Sequence, residues 1–210
     1  MVKMTRLLND LHRVQEKEIP KAAAVLRDAF RHDPVWNRVF EGAEHKDEKL
    51  LAFHETPLRF CSKYGEVYAS SDKIEGVAAW VPGTFSYMSF WRMLRSGAMR
   101  AGMKMGSEYS KKLGVVLRPI EKDRKANMKG RDFLYLQVIG VAGEFQGKGF
   151  GKLVLQALIE KSEEEKIPIY LETETENNVR WYERFGFSVI KKIILPEIDL
   201  PMWEMIREPE

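Results

Sequence analysis

Apolar residues along the chain fall into stretches with helical spacing and stretches that read as strands. After a short strand-like Arg13-Val14, the segment Ile19-Pro20-Lys21 opens an apolar pattern through Ala24, Leu26, Ala29 and Phe30. This predicts a first helix, with Pro20 where its missing N–H costs little. His32-Asp33-Pro34 interrupts it, and 34–40, carrying Val35, Trp36, Val39 and Phe40, predicts a second, short helix. Residues 46–64 place Leu50, Leu51, Phe53, Leu58 and Phe60 at helical spacing, with Pro57 as an expected kink. Segments 66–70 and 74–81 flank Ser71-Asp72-Lys73 and predict an antiparallel hairpin that ends at Pro82-Gly83.

From 85 to 112, Met88, Phe90, Trp91, Met93, Leu94, Met99, Met103 and Met105 are interleaved with basic residues, which predicts one or two helices. Residues 122–131 are polar and charged, and read as a solvated helix end or loop closed by Gly130. The last third is the most regular. It reads as strand 133–141, helix 149–166 and strand 168–173, a βαβ unit, followed by helix 178–185 stopped by Gly186 and strands 187–195 and 202–207. The expected class is α+β, a mixed sheet flanked by helices.

Composition narrows the partners. With 210 residues and 44% hydrophobic content the chain buries one good core, so a single domain over 1–210 is expected. Charges nearly cancel at +3, which leaves no global field drawing in nucleic acid or an anionic membrane. A single cysteine, Cys61, excludes an intramolecular disulfide and fits a cytoplasmic, reducing setting. The first ten residues lack the apolar stretch of a secretion signal, and no apolar run approaches the roughly 20 residues needed to cross a bilayer.

Between the strand and helix of the βαβ unit lies Ala142-Gly143-Glu144-Phe145-Gln146-Gly147-Lys148-Gly149-Phe150-Gly151-Lys152. Glycine permits positive φ and close backbone approach, and unpaired N–H groups at a helix start favour an anion, so a pyrophosphate suits this turn. Lys148 and Lys152 add positive charge. The P-loop pattern fails, because Lys148 stands where the second glycine belongs and no Ser or Thr follows. The dinucleotide fingerprint fits poorly, with Gly147-x-Gly149-x-Gly151 in place of Gly-x-Gly-x-x-Gly, although Glu172 ends the next strand where a ribose-binding acid would sit.

Gln146-Gly147-Lys148-Gly149-Phe150-Gly151 resembles the Gln/Arg-x-x-Gly-x-Gly/Ala pyrophosphate loop of the GNAT (GCN5-related) N-acetyltransferases. Upstream, Leu134-x-Leu136-x-Val138-Ile139-Gly140-Val141 resembles the family's central strand. Downstream, Trp181-Tyr182-Glu183-Arg184-Phe185-Gly186-Phe187 resembles its aromatic-Tyr-x-x-x-Gly-Phe segment. The resemblance spans 133–187. It implies a mostly antiparallel twisted sheet with a helical insertion, about 85–126, before the central strand. It also implies acetyl-coenzyme A as cosubstrate, its pyrophosphate on the backbone of Gly147, Lys148, Gly149, Phe150 and Gly151 beside Gln146 and Lys152, and its pantetheine arm along Ile139 and Val141. Gly140 suggests a bulge in that strand or a packing accommodation. A frequent family asparagine seven residues before the tyrosine is Thr175 here, and Asn178 is left either to cap its helix or to contact the coenzyme.

The implied reaction is direct attack of a primary amine on the thioester in a ternary complex. An alkyl amine with pKa near 10.4 is neutral about once in 2,500 molecules at pH 7, so a base or water relay is useful. Glu172 and Glu174, at the strand end, are candidate bases beside a water chain, and Tyr182 is the candidate acid for the leaving thiolate. Backbone N–H near Ile139 or Val141 would support the oxyanion. The Met-rich segment either roofs an acceptor pocket for an apolar or aromatic amine or packs on the sheet. His12, His32, His45 and His54 show no metal-ligand spacing, so no metal is expected and they read as surface or satisfied core residues; Cys61 reads as a small buried side chain. A noncatalytic acyl-coenzyme A sensor and a nucleotide-dependent oxidoreductase are the alternatives, and homodimerisation is left open.

Overall fold

A computed structural model of the chain describes residues 6–210. The elements run α1 (Arg6–Asp10), β1 (His12–Arg13), α2 (Ile19–Ala29), α3 (Pro34–Val39), α4 (Lys46–Tyr64), β2 (Glu66–Ala69) and β3 (Gly76–Pro82). They continue with α5 (Phe90–Ser96), α6 (Ala98–Met103), α7 (Ser107–Asn127), β4 (Leu134–Val141), α8 (Phe150–Glu165), β5 (Ile169–Thr173), α9 (Glu176–Glu183), β6 (Ser188–Leu195) and β7 (Leu200–Arg207). The strands form one sheet in the order β1-β2-β3-β4-β5-β7-β6, antiparallel except at β4 and β5.

Helices cover both faces of this sheet, which is why β3 is apolar along almost its whole length instead of alternating. Val77, Ala79 and Val81 join Ile19, Leu26, Leu58 and Phe60 of α2 and α4 in one core. Ala78 and Trp80 join Val154, Leu155 and Leu158 of α8 in another. A third cluster, with Trp36, Phe40, Leu50, Leu113, Ile120 and Met202, packs α3, α4 and α7 against the far end of the sheet.

The Met-rich stretch folds as three helices where the periodicity predicts one or two, because Gly97 and Gly106, at φ 75° and 85°, turn the chain twice. The charged tail 122–131 continues α7 to Asn127. It is not wholly solvated, since Arg124 is buried on the side facing the sheet.

Two irregularities of β4 open the sheet. Its pairing with β3 passes from Ala79↔Val138 to Trp80↔Leu136, so Gln137 is the extra residue of a β-bulge. Its parallel pairing with β5 holds only at Leu134↔Ile169 and Tyr135↔Tyr170. Beyond Tyr135 the two strands separate, and the edge of β4 toward β5 is left without strand pairing. The bulge thus lies three residues before Gly140, which serves packing instead: a Cβ there would lie 2.9 Å from Ala29 Cβ and 3.0 Å from Leu26 Cδ2.

Candidate active site

The glycine turn forms where β4 hands over to α8. Gly143 N donates to Asp28 Oδ2 at 2.7 Å, which pins the start of the turn to the end of α2, and Gln146 Nε2 donates to the Val141 carbonyl at 3.1 Å. Gly147 and Gly149 take φ of 76° and 90°, where an L side chain is strained, and a Cβ at either would meet nothing within 4 Å. Among the described residues the amides of Gly147, Lys148 and Gly149 have no hydrogen-bond partner. With the first amides of α8 they make an exposed row of donors at a helix N-terminus, a fit for a pyrophosphate. Lys148 and Lys152 are exposed beside it, Lys148 lying 5.3 Å from the Phe145 ring centroid.

The three motifs meet at Gly151. A Cβ there would lie 3.4 Å from Val141 Cγ2 and 3.7 Å from Trp181 Cζ2. Trp181 in turn packs at 5.0 Å on Phe185, and Tyr182 at 5.4 Å on Phe187. Thr175, not Asn178, caps α9, its hydroxyl accepting from Asn178 N at 3.2 Å. Threonine therefore does the capping that asparagine also performs well, and α9 starts two residues earlier than its periodicity suggests.

Where β4 and β5 separate, a cavity of about 820 Å³ opens. Its inner wall carries Tyr182, Glu172, Glu174, Asn178 and Ile139. Val141 does not line it; it lies at the turn, half-buried. The opposite walls are apolar: Phe30, Trp36 and Phe53 from α2 to α4, and Met93, Met99, Met103 and Met105 from the Met-rich segment, which therefore lines the cavity.

The titratable groups of the inner wall differ in their partners. Glu172 is held at both oxygens, by Arg124 Nη1 at 2.7 Å and by the Tyr135 hydroxyl at 2.8 Å. Arg124 also reaches the Ser86 carbonyl and stacks 3.9 Å from the Tyr135 ring centroid. Burial lifts the Glu172 carboxyl above its ordinary value, opposed by Arg124, which cannot lose its own proton, and by the Tyr135 hydrogen bond. A carboxylate committed in this way is not placed to hold a ribose.

Among the described residues Glu174 has a carboxyl that no other residue hydrogen-bonds, its only donor being its own backbone N–H. It keeps some surface open to the cavity while protein surrounds it, and burial, then the charge of Asp33, push its carboxyl well above the usual range. Tyr182 is buried, with its hydroxyl likewise unpartnered among the described residues; burial, then Glu174, hold its phenol protonated well above the ordinary value.

Two residues of this region escape sequence reasoning as functional groups. Asp33 caps α3, accepting from Val35 N at 2.9 Å and Trp36 N at 3.0 Å, and burial raises its carboxyl to about 6. The Asp-Pro pair signals that helix start but not the charge it brings toward Glu174. His54 is 2% exposed and unpaired, not a surface or satisfied core residue. Its spacing from Leu50, Leu58 and Cys61 along α4 was the available signal for burial. Cys61 is buried as expected, which pushes its thiol up and away from reactivity. Among the described residues there is no metal-ligand cluster and no helix long and apolar enough to cross a membrane.

Comparison with known proteins places the chain in a family. The model of the acetyltransferase (GNAT) family matches residues 101–187, a stretch that contains β4, the glycine turn and Tyr182. An uncharacterized N-acetyltransferase of Schizosaccharomyces pombe is 31% identical over 204 residues, covering 94% of this chain and 83% of its own. The fold matches that of histone acetyltransferase HPA2 and related acetyltransferase from Corynebacterium glutamicum, with TM-score 0.64, 20% identity and coverage of 95% and 96%. It also matches a mosquito arylalkylamine N-acetyltransferase-like 5b, with TM-score 0.56, 12% identity and coverage of 94% and 98%. The chain thus belongs to the GNAT acetyltransferase family and is an acetyl-coenzyme A-dependent N-acetyltransferase.

Proposed function

We propose that the acceptor is the primary amine of a small, largely apolar or aromatic molecule, acetylated by direct attack in a ternary complex. The observation that carries this reading is the cavity of about 820 Å³, whose aromatic and methionine walls face an inner end bearing Glu174 and Tyr182. Apolar walls bind the body of such an amine, and a carboxyl at one end draws its cationic group to the reacting position.

The coenzyme is assigned to the donor row from Gly147 to Gly151, with Gln146, Lys148 and Lys152 around it and Asn178 at its flank. Ile139 and Val141 supply the open strand edge beside the pantetheine. Bound acetyl-coenzyme A supplies the activated acetyl group. Glu174, whose carboxyl no other residue engages among those described, takes the proton of the incoming amine directly or through water. Glu172, already shared between Arg124 and Tyr135, fixes the strand end instead. Tyr182, protonated at any neutral pH, gives its proton to the departing sulfur.

The test is release of free coenzyme A thiol with arylalkylamines, alkylamines and peptides bearing a free N-terminus or lysine. Turnover of apolar small amines with little on peptides is expected. Turnover confined to peptides contradicts the small-molecule reading.

A further inference from the structure

His54 is a polar group that the reaction outlined above does not use. It sits in the middle of α4, 2% exposed, in the wall of the acceptor cavity. Its ring stacks on Phe30 at 5.1 Å and meets Phe53 edge-on at 4.9 Å, and Phe53 lies 4.5 Å from Trp36. Neither ring nitrogen finds a hydrogen-bond partner among the described residues, and Nε2 is fully enclosed. Leaving such a group unpaired is costly, and buried polar atoms are seldom left so without a use.

We propose that His54 is a specificity-determining residue of the acceptor site, whose Nδ1, the unpartnered ring nitrogen that is not fully enclosed, hydrogen-bonds a neutral hydroxyl carried by the aromatic body of the amine. This rests on the small-amine reading above and narrows its substrate class to hydroxylated arylalkylamines. Three observations select a hydroxyl over other groups. Among the described residues no carboxylate pairs with the ring, and burial lowers its pKa to about 3, so the imidazole is neutral and offers one donor and one acceptor. A hydroxyl, able to donate or accept, suits the open nitrogen in either tautomer. A carboxylate on the acceptor would be stripped of water with no cation to repay it, and the ammonium end is drawn to Glu174 instead. Phe30 and Phe53 against the imidazole, and Trp36 beyond Phe53, supply the faces on which an aromatic ring packs.

The experiment compares kcat/KM for 2-phenylethylamine, its 3- and 4-hydroxy derivatives and the matching 3- and 4-methyl compounds, which add bulk without a hydrogen bond. The wild-type enzyme is expected to favour one hydroxy compound over its methyl counterpart by at least about tenfold. In His54→Phe that ratio should collapse to about one, and in His54→Gln, which keeps a hydrogen-bonding end, part of it should remain. Equal efficiency on the hydroxy and methyl compounds by the wild-type enzyme overturns the proposal without any variant, as does a preference that survives in a folded His54→Phe. Failure to acetylate any of the five amines while acetyl-coenzyme A still binds and apolar alkylamines turn over overturns this inference alone, whereas turnover confined to peptides overturns the small-amine reading beneath it.

Discussion

Arg124 and Glu172 join the Met-rich region to the catalytic sheet: the guanidinium of α7 lies 2.7 Å from the carboxylate at the end of β5, with only 7% and 8% of the two side chains exposed. A pair taken so far out of water is worth little against an apolar substitute, yet removing one partner strands the other. Arg124→Met should therefore cost about 3–5 kcal/mol in denaturant unfolding, while the double variant Arg124→Met/Glu172→Leu should recover much of the loss. Unfolding of both variants side by side checks this.

The Tyr182 phenol, raised by burial and then by Glu174, stays protonated across the assayable range, so activity should not fall on the alkaline side through its ionisation. Tyr182→Phe should lower kcat by about 10²–10⁴, the span of general acid catalysis, with little change in affinity for acetyl-coenzyme A. Unchanged kcat at all pH values would remove the acid role.

Glu174 must lose its proton to act as a base, and burial with the charge of Asp33 keeps that proton on to higher pH than usual. Activity should rise with pH as Glu174 ionises, and Glu174→Gln should flatten that limb. Asp33→Asn keeps an N-cap side chain while deleting the charge, and should move the limb to lower pH. A pH profile of kcat/KM for the three proteins is the check.

Glu204 supplies a stability test away from the reaction. Fully buried on β7, it accepts from Asn127 Nδ2 at 2.6 Å and the Tyr170 hydroxyl at 2.8 Å through Oε2, while Oε1 has no partner among the described residues, and burial raises its carboxyl to about 7. The unfolded chain gives up this proton near the ordinary value, so stability falls as pH rises from there through about 7. Glu204→Gln should be more stable than the wild type at pH 8 by about 1–3 kcal/mol, with the gap closing below the ordinary carboxyl pKa. Thermal unfolding across pH measures it.

The elements that apolar spacing dictates were legible in the sequence. The ends of α4 at Lys46 and Tyr64 and the hairpin of β2 and β3 agree with their periodicity to within a residue or two. The glycine turn was equally plain, because positive φ at Gly147 and Gly149 restricts the residue type. What pattern does not carry is long-range pairing. The bulge at Gln137 depends on how β3 and β4 register, and the engagement of Glu172 depends on Arg124, 48 residues away in a stretch that reads as solvated. His54 was hidden for a different reason, since a histidine on an apolar helix face ordinarily finds a partner and this one has none among the described residues.

The most direct test of the account is calorimetric titration of acetyl-coenzyme A into the wild-type enzyme and into Gly149→Glu, which puts a side chain at φ 90° and a negative charge in the donor row. Binding by the wild type, lost in a variant that keeps its folded spectrum, is the predicted result. Equal binding by both proteins would contradict the assignment of the pyrophosphate to this turn.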